Sequence, residues 1–249
     1  MLTPEQLFDR SGRLRRPPIH RLAGEAWSFV SYHPAPPDPA GLPDGQGHAV
    51  LVVPAYCTND AFSLPLRRFL DRCGFRSFGW ELGFNWGPTA GLHEGLRRRF
   101  RQVRAVAGGP VSLVGISLGG MLARDLAFDF PDDVVQVVTL VSPINLPTAS
   151  SLEPLVRLCL PFYSADIDPA RLARPLPMPS TSIFTRDDGL VAWQSCRIDE
   201  PGATAIEVSG GHVSICRNPA ALRAVVERLA AGLGPVAGQR REPLPANEA

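Results

Sequence analysis

A serine lies between two glycines at Gly115-Ile116-Ser117-Leu118-Gly119, after an apolar run (Pro110–Ile116) and before an amphipathic one. These residue types at this spacing suit nucleophilic catalysis. In a sharp strand-to-helix turn, glycines accept close backbone approach that a Cβ would block. The serine hydroxyl then stands out above a sheet, and the N–H of Leu118 lies at a helix N-terminus, where it can meet a developing oxyanion. A serine hydroxyl is a weak nucleophile until a base takes its proton. An acid and a histidine are therefore expected downstream, in that order. The stretch Thr185–Trp193 (TRDDGLVAW) offers Asp187 and Asp188 at the end of a strand, and Val208–Pro219 (VSGGHVSICRNP) offers His212 on the loop after the next strand. Asp188 lies 71 residues after Ser117, and His212 lies 24 residues further on. The other histidines, His20, His33, His48 and His93, all precede the serine in loop or helix contexts.

Positioning such groups requires a regular scaffold, and the hydrophobic pattern supplies one. The run His48–Tyr56 (HAVLVVPAY) reads as a strand buried on both faces. Downstream of it, helix is expected at about 61–73, strand at 75–80, helix at 91–106, strand at 110–116, helix at 118–130 and strand at 134–142. An interruption over about 143–179 precedes strands at 180–185 and 203–208 and a last helix at about 219–231. This alternation predicts an α/β fold, a mostly parallel central sheet with helices on both faces. Residues 1–47 read as an N-terminal extension and proline-rich linker, 48–231 as the main domain and 232–249 as a disordered tail. Within the extension, Arg21–Tyr32 is either a short helix, with Ala23, Trp27 and Val30 on one face, or a first strand. No internal repeat is present.

Composition excludes several classes. The 249 residues carry a formal charge of +1, and all 25 basic residues are arginine. That balance gives no case for nucleic acid or an anionic surface. No apolar stretch approaches the ~20 residues of a membrane span, and the N-terminus lacks a signal-peptide core, so a cytoplasmic location is expected. The five cysteines, Cys57, Cys73, Cys159, Cys196 and Cys216, show no metal-ligand spacing. Cys196 and Cys216 are either free thiols or a bridge beside the base. No phosphate loop or dinucleotide fingerprint occurs, so no cofactor and no metal are implied.

The segments Val50–Asp60, Gly79–Thr89, Val114–Gly120, Ser182–Trp193 and Ser209–Pro219 together resemble the α/β-hydrolase superfamily, and within it bacterial lipase- or esterase-like members. The resemblance implies a catalytic triad of Ser117, Asp188 and His212. It selects Asp188 over Asp187 because the family's acid directly precedes a Gly-apolar-Val turn, here Gly189-Leu190-Val191. It also implies that Leu118 and Tyr56 supply the oxyanion-hole N–H groups, unless Tyr56 only walls the pocket. Ala55 stands where the family usually has glycine. The interruption at 143–179 corresponds to a cap or lid. Its Leu155 and Phe162 either line the substrate pocket, together with Ala55 and Asn85, or belong to ordinary core. The activity implied is hydrolysis of a small ester or acyl substrate. Acyl transfer, thioester hydrolysis and a catalytically silent binding protein are the alternatives.

Overall fold

The computed structural model describes residues 17–145, 150–151 and 168–233. Its centre is a six-stranded sheet, β1 (Ala49–Val53), β2 (Arg76–Gly79), β3 (Val111–Ile116), β4 (Val134–Leu140), β5 (Ser180–Phe184) and β6 (Ala203–Glu207), in the order β2-β1-β3-β4-β5-β6. Every neighbouring pair is parallel. The helices are α1 (Ile19–Ser31), α2 (Asp60–Arg72), α3 (Ala90–Ala107), α4 (Leu118–Asp129), α5 (Pro169–Leu172), α6 (Trp193–Cys196) and α7 (Pro219–Ala231), with a 3₁₀ turn at Ile215–Arg217.

The continuous apolar strands follow from burial on both faces. Side chains alternate across the sheet. Val50, Val52, Val114 and Ile116 pack with Leu66, Phe69 and Leu70 of α2 and Leu222, Val225 and Val226 of α7. Leu51, Val53 and Leu113 face the other way, onto Leu96, Phe100 and Val103 of α3 and Leu122 and Leu126 of α4. Helix starts are marked chemically. Asn59 accepts from Ala61 N at 3.0 Å, and Asn218 accepts from Ala220 N and Ala221 N at 2.9 and 3.1 Å, with Pro219 as the first residue of α7.

The chain leaves β1 for β2 on one side, then returns to lay β3 on the other. That reversal opens a crevice at the carboxyl ends of β1 and β3, where open α/β sheets bind ligands. The loop after β1 and the Ser117 turn after β3 both lie at this edge.

Arg21–Tyr32 resolves as helix rather than strand, and its expected apolar face points outward. Trp27 and Val30 are 73% and 70% exposed, and Glu25 is the one buried side chain among those described in α1. Leu155, Cys159 and Phe162 lie outside the described residues, as does the chain from 234 onward. At the near edge of the interruption, Ser150 forms an antiparallel bridge with Val191, and Ser151 N donates to Leu190 O at 2.7 Å. Cys196 and Cys216 are separate, buried free thiols.

Candidate active site

Ser117 sits at φ 51°, ψ −121°, between the last residue of β3 and the first of α4. A positive φ on a serine costs on the order of 1–3 kcal/mol and persists only where the surroundings over-determine it. Here Ser117 N donates to Leu140 O at 2.8 Å, continuing the sheet, and Ser117 O accepts from Gly120 N at 2.9 Å. The flanking glycines are steric necessities. A Cβ on Gly115 would overlap Gly120 Cα, and one on Gly119 would overlap the carbonyl oxygens of Val53 and Pro54. The turn therefore packs directly on the end of β1, which brings the 54–58 loop beside Ser117 and Leu118.

That loop is braced from within and from its neighbour. Thr58 Oγ1 donates to Ala55 O at 2.7 Å. Cys57 N donates to Asn85 O, and Asn85 N to Thr58 O, both at 2.8 Å. Asn85 Nδ2 donates to Pro54 O at 2.8 Å, and its Oδ1 accepts from Gly87 N at 3.2 Å. Asn85 is completely buried. Its amide, expected to line a pocket, braces the loop that carries Tyr56. Ala55 is also buried, 6% exposed, and packs in the core. Its φ is not positive; the left-handed residue of this loop is Cys57, at φ 55°. An alanine at position 55 therefore brings no backbone strain. Tyr56 is half-buried at the loop's apex.

Asp188 and His212 meet. Asp188 Oδ2 lies 2.7 Å from His212 Nδ1. The other carboxylate oxygen, Oδ1, accepts from Leu190 N and Val191 N at 2.8 and 2.7 Å. Both side chains are buried, 2% and 4% exposed. A carboxylate can only accept, so Nδ1 carries the proton and Nε2 keeps a free lone pair. Burial alone works to lower the His212 pKa. The charge of Asp188, its hydrogen bond and the charge of Glu25 outweigh burial and hold the pKa above the ordinary histidine value. Asp187 is exposed and takes no part in this pair: its Oδ2 accepts from Gly210 N at 3.3 Å. Arg186 pairs with Glu207 and lies over the Trp193 ring.

Three supports of the histidine loop were not anticipated from the sequence. Thr185 Oγ1 donates to Gly210 O at 2.6 Å. Asn218 Nδ2 donates to Ser209 O at 2.5 Å, and a Cβ on Gly210, at φ 119°, would meet that same Nδ2. Glu25 accepts backbone N–H groups from both the acid and the base loops. Only Asn218 carries a local signal, as a helix cap before proline. Nothing near Glu25 in sequence points to residues more than 160 positions away.

A parallel sheet of this order defines the α/β-hydrolase fold, here with a strained serine after β3, an aspartate after β5 and a histidine after β6. No protein-family profile matches the chain, and no curated protein matches it in sequence. Its likeness to solved structures is in fold. The Bacillus licheniformis lipase BlEst2 superimposes with a TM-score of 0.57 at 16% identity, over 78% of this chain and 96% of that one. The Paleococcus ferrophilus monoacylglycerol lipase gives 0.53 at 16% identity, over 77% and 97%. A thioesterase domain from the curacin biosynthetic pathway gives 0.51 at 14% identity, over 74% and 92%. Among the described residues, no helix is long and apolar enough to cross a membrane.

Proposed function

We propose that this chain is a serine hydrolase that cleaves carboxylic esters through an acyl-enzyme on Ser117. The observation that carries the reading is the buried 2.7 Å contact between Asp188 and His212, at the same edge of the sheet as a serine held at φ 51°. His212 Nε2 takes the proton from Ser117 Oγ as the oxygen attacks the ester carbonyl. Asp188 holds the imidazole in the required tautomer and stabilises its charged form. The N–H groups of Leu118 and Tyr56 receive the oxyanion of the tetrahedral intermediate. His212 returns the proton to the departing alcohol. Water, deprotonated by the same nitrogen, then releases the acid.

A second reading, thioester hydrolysis or acyl transfer by the same residues, is supported by the fold likeness to a thioesterase domain. The two differ in the leaving group or the final acceptor, not in the triad. A catalytically silent binding protein is the third. Ala55, the departure from the family's usual glycine, is the feature that favours it, and the absence of a positive φ there supports the hydrolase reading instead.

A fluorophosphonate probe tests the nucleophile, because only an activated serine is phosphonylated. Wild-type protein is expected to take up one equivalent and hydrolyse short p-nitrophenyl esters. Ser117→Ala is expected to stay folded, take up none and lose several orders of magnitude in rate. Undiminished labelling of the variant sinks the assignment, and an inert wild type points to the binding protein. A series of p-nitrophenyl esters of increasing length, run beside matched thioesters, separates the first two readings.

A further inference from the structure

Helix α1 contacts the rest of the molecule in an unusual way. Its one buried side chain among those described is not apolar but a carboxylate, Glu25, 4% exposed. Burying such a group is costly unless hydrogen bonds replace its water. Three do. Oε1 accepts from Gly189 N at 2.9 Å and from His212 N at 2.7 Å, and Oε2 accepts from Val213 N at 2.9 Å. One carboxylate therefore ties the residue after Asp188 to His212 itself.

The fit is close on both loops. A Cβ on Gly189 would stand 2.7 Å from Arg21 O, and one on Gly211 would stand 2.7 Å from Glu25 Oε2. Either side chain would lift the helix away. The helix is pinned beside the carboxylate as well: Arg21 Nη1 donates to Arg186 O at 2.6 Å, and Arg217 Nη1 donates to Phe29 O at 3.3 Å. Arg21, Glu25 and Phe29 are spaced four apart, so these contacts form one stripe along α1.

We propose that Glu25 is a positioning residue for the reaction assigned above: it locks the Asp188 and His212 loops to each other and so sets where the imidazole stands relative to Ser117. The proposal rests on the reading of Ser117, Asp188 and His212 as a working triad. Glu25 touches no substrate and acts through the backbone of His212. Its charge also adds to that of Asp188 in holding a proton on the imidazole. The charged groups facing that ring are Asp188, from the loop after β5, and Glu25, from α1. The cations of the packed elements are engaged elsewhere, Arg21 and Arg217 with carbonyl groups and Arg186 with Glu207. Asp187 turns to Gly210 N.

Two variants test this, Glu25→Gln and Glu25→Asp. The first removes the charge and turns an N–H₂ group toward backbone donors. The second keeps the charge but withdraws it by one methylene. Rates are normalised to the folded, fluorophosphonate-reactive fraction. Glu25→Gln is expected to lower kcat on the order of 10²-fold with KM nearly unchanged, because a small misplacement of the base is felt in the chemical step. Its acidic pH limb is expected to move to lower pH, since a negative charge near the imidazole has been lost. Glu25→Asp is expected to lower kcat while keeping the wild-type limb. A purely stabilising role predicts otherwise: fewer active molecules, each with wild-type kcat and pH limb, and that result in the folded variants overturns the proposal. If Glu25→Gln does not fold, Glu25→Asp decides alone, and an unchanged kcat overturns it. If wild-type protein neither reacts with the probe nor hydrolyses any ester, the triad reading fails. Titration of the His212 imidazole by NMR then tests Glu25 without turnover, and an unchanged titration in folded Glu25→Gln overturns the proposal.

Discussion

Asp187 and Asp188 are adjacent and chemically identical, yet their surroundings differ completely. Both lie in the turn that follows β5, and the turn sends their side chains different ways. Asp188 turns inward to His212 and two backbone N–H groups, whereas Asp187 stays in solvent with Gly210 N. Asp188→Asn, which favours the wrong imidazole tautomer, is expected to cost about four orders of magnitude in kcat. Asp187→Asn is expected to keep most activity. Both are measured on one short-chain ester, and a dead Asp187→Asn shifts the assignment by a residue. The same pair sets the pH response. His212 binds its proton more tightly than an ordinary histidine of pKa 6.5, so activity that needs the neutral base falls off below a pH higher than 6.5. The stability effect has the opposite sense. The extra stability from the charged imidazole is full below the unfolded value and is lost as pH rises through the raised folded one. In Asp188→Asn both effects shrink, which a kcat/KM pH profile and urea midpoints on either side of that window can read.

At the scale of elements, the Ser117 turn holds its strain because Gly115 and Gly119 let β3, α4 and the end of β1 approach to backbone contact. Gly119 is the critical one, since its α-hydrogen faces the carbonyl oxygens of Val53 and Pro54. Neither oxygen can yield without moving β1 or the loop that Asn85 braces. Gly119→Ala is therefore expected to destabilise by about 3 kcal/mol or more, at the upper end of the range for overpacking. It should also separate the Tyr56 and Leu118 N–H groups. A thermal melt reads the first effect. A loss of kcat exceeding the loss of folded protein reads the second.

Across the whole molecule, the later part of the 143–179 interruption is anchored to α4 by a buried charge. Arg124 of α4, 1% exposed, donates to Leu172 O and Arg174 O and forms two hydrogen bonds with Glu200, at 3.0 and 2.6 Å. Glu200 Oε1 also accepts from Ser180 Oγ at the start of β5. Arg171 of α5 reaches Asp125 and Asp129 of α4. The chain thus returns from 152–167, outside the described residues, onto α4 and the edge of β5. Glu200→Gln leaves the Arg124 guanidinium buried without its counter-charge and is expected to cost about 3–5 kcal/mol, measured by urea denaturation. A loss under 1 kcal/mol means that water reaches Arg124 and the anchor is weak.

The elements that position the site were legible in the sequence because each is specified locally. Predicted strands at 110–116 and 180–185 are observed at Val111–Ile116 and Ser180–Phe184, and the predicted helix at 118–130 at Leu118–Asp129, since continuous apolar runs and helical periodicity reflect burial that each segment carries in its own residues. The serine turn was legible for the same reason: its glycines answer to neighbours within a few positions of the chain. Three things were settled only by the tertiary structure. The outward aim of Trp27 and Val30 depends on what α1 packs against, and its partner is a pair of loops more than 160 residues away. The bracing role of Asn85 depends on the 54–58 loop folding back against it. Glu25 carries no signal of its own in the sequence, and only the folded chain brings three backbone N–H groups to it. Periodicity records how much of a segment is buried; which distant polar groups share that burial is decided by the order of the strands and the paths of the loops between them.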